Sequence, residues 1–90
     1  MTAERISRIR AALEQEFAPL QLEILDDSAR HAGHAGAREG GHFRVRIVAE
    51  AFRGRTPIQR HRMVFAALGR LMKSDIHALN IDARAPEDNS

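Results

Sequence analysis

Apolar residues recur along the chain at two different intervals, and these intervals predict the positions of helices and strands. Residues 3–17 carry an apolar stripe at helical spacing, made of Ile6, Ile9, Leu13 and Phe17. Such a stripe is typical of one face of an amphipathic helix. Pro19 then prevents this helix from continuing.

Three further segments alternate apolar and polar residues, which is typical of strands with one buried face. Their apolar positions are Leu20, Leu22 and Ile24, then Phe43, Val45 and Ile47, and finally Leu79, Ile81 and Ala83. The second strand is expected to continue weakly to Ala51.

A second helix is predicted to begin after Thr56 and to end near Lys73. Thr56, Pro57 and Gln59 form a capping-box pattern with proline at the first helical position. The predicted buried stripe of this helix consists of Val64, Phe65, Leu68, Leu71 and Met72. His61 falls in the middle of that stripe, so we expect it to be a partly buried, hydrogen-bonded structural histidine.

The resulting order of elements is α-β-β-α-β, which predicts an α+β domain. We expect a three-stranded mixed sheet covered on one face by two helices. The first two strands should form an antiparallel hairpin, and the second and third should be parallel because a helix connects them. Residues 1–85 are expected to form one domain, followed by a polar C-terminal tail at 86–90.

Composition narrows the class of protein. The 90 residues include no cysteine, which excludes a disulfide framework and a thiolate metal site within this chain. No apolar run approaches the roughly 18 residues that a membrane span needs, and the first residues do not resemble a secretory signal. We therefore expect a cytoplasmic protein with no membrane association. The net charge is only +2, so the charge balance alone does not indicate a nucleic-acid binder.

The segment from His31 to Phe43 concentrates potential chemistry between the first two strands. It contains three of the five histidines and four of the six glycines, and it is longer than an ordinary hairpin connection of about 2–5 residues. Parallel strands begin at the same edge of a sheet. His31, His34, His42 and His77 are therefore expected to converge at the edge where the second and third strands begin.

Two interpretations of these histidines stay open at this point. They suit a metal site or a proton-transfer site, or they are solvated side chains of a glycine-rich loop. Spacing alone favours solvated side chains, because no metalloprotease or two-His-one-carboxylate motif is present. Ser28 and Ser74 lack the surroundings of a catalytic nucleophile. The residues therefore indicate a binding or adaptor domain and not an enzyme.

Arg60 and Arg62 flank His61 near the start of the second helix. Cations in the first turn of a helix oppose its dipole, so another interaction must offset this cost. Two interpretations stay open: a solvated or ion-paired helix start, and a contact with phosphate or a protein partner.

Several short motifs between about Leu22 and Ile81 resemble the BolA family in sequence, order and spacing. They are Asp27-Ser28, His31-Ala-Gly-His34, His42-Phe-Arg-Val-Arg-Ile-Val48, Phe52-Arg-Gly54, Gln59-Arg-His-Arg-Met-Val64 and Ile76-His-Ala-Leu79.

The resemblance implies a fold similar to the class II KH domain and a partnership with a monothiol glutaredoxin. In such a pair a 2Fe–2S cluster bridges the two proteins and serves cluster trafficking or iron homeostasis. The glutaredoxin supplies a cysteine and glutathione. The BolA-like chain supplies a histidine that matches His77 and a loop ligand that matches His31, with His34 as the alternative.

The resemblance also implies a second function, that of a DNA-binding transcription regulator of stress response and cell shape. The candidate contacts in and near the second helix are Arg53, Arg55, Arg60 and Arg62. The stretch Gly54-Arg-Thr-Pro57 lacks the second glycine of the GxxG loop with which KH domains bind single strands. Contacts of these arginines with phosphate stay open.

Overall fold

The computed structural model describes residues 2–27 and 41–89. The helices are α1 (Thr2–Phe17), α2 (Pro57–Leu68) and α3 (Leu71–Ser74), and the strands are β1 (Gln21–Asp26), β2 (Gly41–Val48) and β3 (Ile76–Arg84). Two short 3-10 helices, Glu50–Phe52 and Pro86–Asn89, follow β2 and β3. The predicted α+β class is confirmed.

The three strands form one mixed sheet in the order β1-β2-β3. β1 is antiparallel to β2, with Ile24 opposite Val45, and β2 is parallel to β3, with Val45 opposite Ile81. The predicted hairpin and parallel pair are therefore both present. A parallel pair arises because α2 and α3 carry the chain back to the edge where β2 began.

The core lies between the sheet and the helices. Ile9 and Leu13 of α1 are fully buried against the inward-facing Val45 and Ile47 of β2. This burial follows from the alternation in the strands and the helical spacing in α1, since each pattern presents one apolar face to the other element.

The 3-10 helix after β2 contributes the largest fully buried side chain. Phe52 packs its ring against Phe17 at the end of α1, with centroids 4.9 Å apart. The predicted weak continuation of β2 to Ala51 is wrong, because the chain turns at Glu50 and places Phe52 in the core instead.

The capping box predicted for α2 is confirmed. The Thr56 hydroxyl accepts from the Gln59 backbone N–H at 3.1 Å, and the Gln59 side chain accepts from the Thr56 N–H at 2.9 Å. The predicted end near Lys73 is wrong. α2 ends at Leu68, because Gly69 adopts a left-handed φ of 48° that breaks the helix before α3.

The buried face of α2 is rotated relative to the prediction. Val64 and Leu68 are buried and Met63 packs beside them, whereas Phe65 is 40% exposed. His61 is exposed as well, so its predicted structural role in the core is wrong. The rotation arises because α2 packs against both α1 and β3, which turns the Met63 side of the helix inward.

The segment predicted to be a polar tail includes the 3-10 helix at Pro86–Asn89. It follows the buried Ala85, and Glu87 forms an ion pair with Arg53. Among the described residues, none of the helices combines the length and the apolar composition that a membrane span requires.

Candidate functional site

The edge where β2 and β3 begin brings two histidine-bearing segments together. Gly41 pairs with Ile76 and His42 with Ala78, so the backbone of His77 lies at an irregularity opposite the Gly41–His42 step. An extra residue of this kind is left out of the regular ladder and increases the local twist. His31 and His34 lie outside the described residues, and their convergence with His77 stays a prediction.

A shallow pocket of about 270 Å³ lies beside this edge. Its lining comes from both strands and from the end of the hairpin's first arm: Asp27, His42, Phe43, Ala78, Leu79 and Asn80. The Asp27 N–H donates to the His42 carbonyl at 2.6 Å, and Arg44 donates to the Asp27 carboxylate at 3.1 Å. These two bonds extend the β1–β2 pairing up to the point where the hairpin segment begins.

The Nε2 atom of His42 is buried and has no hydrogen-bond partner, although other atoms of His42 do have interactions. This nitrogen of the His42 imidazole is therefore enclosed by protein near the start of β3.

An ion pair anchors the start of β3 to α1. Arg8 donates to both carboxylate oxygens of Asp75, at 2.8 and 3.1 Å, and Arg5 lies 3.7 Å from the same carboxylate. The hydrogen bonds from Arg8 lower the pKa of Asp75 below its ordinary value. Asp75 is two residues before His77, so this ion pair connects the chain just before His77 to α1.

Sequence reasoning missed this anchor. Arg5 and Arg8 lie on the polar side of the apolar stripe in α1, where side chains are ordinarily solvated. An acidic residue directly before the third strand was the only signal, and it did not identify its partner 67 positions away.

The side chains that the structure describes at this edge do not form a complete metal site. No group of three or more His, Cys, Asp or Glu side chains comes together among residues 2–27 and 41–89, and the chain has no cysteine. A cluster shared with a second protein requires only part of its ligands from each chain. One or two imidazoles from this chain are compatible with such sharing.

Arg53, a candidate for DNA or partner contact, is engaged within the protein. It donates to both carboxylate oxygens of Glu50, at 2.9 and 3.1 Å, and it also pairs with Glu87. The hydrogen bond from Arg53 lowers the pKa of Glu50. Arg53 thus links the 3-10 helix after β2 to the one after β3.

Arg60 is engaged as well. Its guanidinium donates to the backbone carbonyl of Arg55 at 2.9 Å and to that of Ala83 at 3.1 Å. The second bond joins the first turn of α2 to the outer edge of β3. The cost of a cation near a helix N-terminus is therefore offset by two carbonyl contacts, which the sequence pattern did not reveal.

Arg55 and Arg62 differ from the other two candidates. Both are exposed, and their guanidinium groups form no ion pair with residues that the structure describes. The four arginines therefore do not form one set of equivalent contact residues: two stabilise the fold and two are available to a ligand.

The open face of the sheet is balanced in charge. Asp82 of β3 pairs with Arg84 at 2.9 Å and with Arg46 of β2 at 3.6 Å. The hydrogen bond from Arg84 lowers the pKa of Asp82. Glu23 of β1 lies directly opposite Arg46, so acidic and basic groups alternate across this face and leave no single-sign patch.

Known proteins resemble this chain in sequence and in fold. A family model described as BolA-like protein matches residues 13–88. The solved structure of the BolA domain of SufE1 from Arabidopsis thaliana superposes with a TM-score of 0.81 at 45% identity, covering 91% of this chain and 92% of that one.

Three relatives in sequence illustrate the range of proteins with this domain. SufE-like protein 1, chloroplastic/mitochondrial, from Arabidopsis thaliana is 42% identical over 87 residues, which cover 90% of this chain and 24% of that protein. BolA-like protein 1 from Mus musculus is 45% identical over 78 residues, covering 87% and 56%. The DNA-binding transcriptional regulator BolA from Escherichia coli is 38% identical over 72 residues, covering 80% and 67%. The chain thus spans only part of the length of the first two relatives.

Proposed function

The chain belongs to the BolA-like protein family, and from this premise we propose that it is an adaptor, not an enzyme, that pairs with a monothiol glutaredoxin. In the pair, His77 and one histidine of the hairpin segment, His31 or His34, serve as ligands to a bridging 2Fe–2S cluster. The role of the pair is cluster trafficking or iron homeostasis.

The observation that carries the proposal is the parallel pairing of β2 with β3. Because Gly41 pairs with Ile76, the end of the hairpin segment and the backbone of His77 adjoin at one edge. Residues separated by more than thirty positions in sequence thus contribute to one surface, which a second protein reaches without entering the core.

The donor chemistry supports a shared site. This chain has imidazoles and no thiol, so the partner must supply the thiolate ligands through its cysteine and glutathione. Histidine ligation raises the reduction potential of a 2Fe–2S cluster relative to thiolate ligation alone. An imidazole that leaves the iron also takes up a proton near neutral pH, which favours release of the cluster over its long-term storage.

The domain context also supports an adaptor. In Arabidopsis a BolA domain is part of the larger protein named SufE-like protein 1. A domain that is joined to further polypeptide in a relative is compatible with a binding unit. The cytoplasmic location expected from the sequence stays a prediction, since the name of that relative places it in chloroplasts and mitochondria.

Anaerobic reconstitution with a monothiol glutaredoxin tests the proposal. We expect a stable heterodimer whose visible absorption and circular dichroism differ from those of the glutaredoxin alone. His77→Ala should change the spectrum of the complex and speed the loss of the cluster. His31→Ala or His34→Ala, whichever is the loop ligand, should do the same.

The matched control is His61→Ala, because His61 is exposed on α2 and is not a candidate ligand. Its complex should keep the wild-type spectrum. Identical spectra for wild type, His77→Ala and both loop variants would disprove the ligand assignment, and absence of a heterodimer would disprove the partnership.

A second function, that of a DNA-binding regulator, is favoured by the name of the Escherichia coli relative. In this chain Arg55 and Arg62 are the arginines available for phosphate contacts. Binding to duplex DNA should then weaken steeply with salt and should weaken further in the double variant Arg55→Gln/Arg62→Gln. Arg10→Gln is the control on α1, and the absence of a mobility shift at low salt would reject this function.

A further inference from the structure

The segment that forms α2 and α3 has a charge unlike that of the rest of the chain. Residues 57–74 contain three arginines and one lysine and no aspartate or glutamate. The remaining residues contain ten basic and twelve acidic side chains. The slightly positive net charge of the protein therefore conceals one strongly cationic segment.

Most of this positive charge is uncompensated within the fold. Arg62, Arg70 and Lys73 are exposed, and their side chains form no ion pair with the described residues. Several arginines described elsewhere are different, since Arg8 faces Asp75 and Arg44 faces Asp27; Arg55, just before α2, is exposed and forms no ion pair with the described residues. Among the described residues, cations without an ion pair are thus concentrated between Arg55 and Lys73, the segment that contains α2 and α3.

Two large apolar side chains of the same segment are also exposed. Ile58 is 64% exposed and Phe65 is 40% exposed, and neither packs against the core. At helical spacing, Ile58, Arg62 and Phe65 fall on one side of α2, opposite Ala67, which packs against the core. An exposed aromatic and an exposed isoleucine on either side of an arginine make an amphipathic surface, which is typical of interaction sites.

We propose that this surface, the α2–α3 face made of Ile58, Arg62, Phe65, Arg70 and Lys73, docks an acidic amphipathic segment of a partner protein. Carboxylates of the segment pair with the three cations, and large apolar side chains of the segment cover Ile58 and Phe65. The binding mode is that of an amphipathic helix laid on a complementary surface.

The apolar pair distinguishes this occupant from a nucleic acid. Phosphates complement the charges of Arg62, Arg70 and Lys73 as well as carboxylates do. The backbone of a nucleic-acid duplex, however, has no large apolar group that could cover Ile58. Truncation of Phe65 therefore distinguishes the two ligands. It should strongly weaken the binding of an amphipathic protein segment and leave the binding of a phosphate backbone almost unchanged.

A peptide titration of the full-length chain tests the proposal. The probe is a synthetic helical peptide with leucine on one face and glutamate on the other, and its twin has glutamine in place of every glutamate. We expect amide chemical-shift changes confined to α2 and α3. The glutamine twin should bind about tenfold more weakly, as should Phe65→Ser and Arg62→Gln with the acidic peptide.

Leu20→Ser and Arg10→Gln are the matched controls. Leu20 is 65% exposed but lies outside α2 and α3, and Arg10 is exposed on α1; both variants should bind as the wild type does. Unchanged thermal melting of all four variants shows that binding, and not folding, is compared.

Four outcomes would overturn the proposal: no binding of the acidic peptide, equal binding of both peptides, shift changes elsewhere in the chain, or a wild-type affinity in Phe65→Ser. Parallel titrations use duplex DNA and vesicles that contain anionic lipid. If either binds more tightly than the acidic peptide, the surface is assigned to that ligand instead. The test includes no glutaredoxin and no cluster, so its result is independent of the function proposed above.

Discussion

Arg8 donates two hydrogen bonds to Asp75, at 2.8 and 3.1 Å, and thereby joins α1 to the residue that precedes β3. The Asp75 side chain is 13% exposed, whereas that of Arg8 is 48% exposed. The Asp75 carboxylate therefore needs the ion pair more than Arg8 does, because it is largely removed from water and Arg8 stays hydrated. Two residues later the chain reaches His77.

Asp75→Asn should destabilise the protein. Loss of the charge-assisted, bidentate pair is expected to lower the free energy of unfolding by roughly 1–2 kcal/mol, which corresponds to a fall of several degrees in Tm. Glu14→Gln is the control, because Glu14 pairs with Arg10 at 3.8 Å on the exposed side of α1 and should have almost no effect. Equal changes in Tm for the two variants would contradict the role of Asp75.

Stability should fall on acidification. The pKa values of Asp75 and Asp82 are lowered in the folded protein from an ordinary value of 3.8, so the unfolded chain binds protons more readily. The stabilisation that ionised Asp75 and Asp82 contribute to the folded protein is complete above the ordinary pKa of the unfolded chain. It is lost as the pH falls through the lower pKa values of the folded protein. Urea unfolding between pH 7 and pH 2 measures this, and the loss should be smaller in Asp75→Asn. An identical pH dependence in that variant would count against the pair.

Stability should respond differently to the same substitution at Arg60 and at Arg62. Arg60→Gln removes the bonds to the Arg55 and Ala83 carbonyls and should cost about 1 kcal/mol of stability. Arg62→Gln should leave stability unchanged within about 0.5 kcal/mol, since its exposed side chain stabilises nothing in the described fold. Chemical denaturation of both variants distinguishes a structural arginine from an available one; a larger loss in Arg62→Gln would reverse the assignment.

Thr56→Ala should destabilise α2 by about 1 kcal/mol, because it removes the hydroxyl that accepts from the Gln59 N–H. Thr56→Ser keeps that acceptor and should retain most of the stability. Thermal unfolding followed by circular dichroism provides the comparison, and similar losses in the two variants would show that the hydroxyl is not what matters.

Ala18→Gly should stabilise the protein. Ala18 directly follows α1 and lies in the left-handed region at a φ of 45°, with its N–H donating to the Glu14 carbonyl at 3.0 Å. Glycine adopts this conformation without the steric cost of a Cβ, so we expect a gain of roughly 0.5–1 kcal/mol. Ala12→Gly, in the interior of the same helix, is the control and should destabilise by a similar amount. A loss of stability in Ala18→Gly would contradict the prediction.

Local patterns determined most of the architecture. The apolar stripe in α1, the alternation in three strands and the capping box at Thr56 each involve neighbours in sequence. Elements of this kind are predictable because propensity and periodicity act over a few residues. The parallel pairing of β2 with β3 followed from the connecting helix, and with it the position of His77 beside the start of β2.

Tertiary packing decided the features that no local pattern encodes. Phe65 was predicted to be buried and is exposed, because contacts with α1 and β3 set the rotation of α2. Phe52 entered the core through a 3-10 turn where an extended strand was expected. Arg8 donates to Asp75, and Arg60 donates to the carbonyl of Ala83, and both contacts join segments that are distant in sequence. A sequence shows that an arginine needs a partner, but the partner's identity depends on the three-dimensional approach of distant segments, which only the packed structure defines.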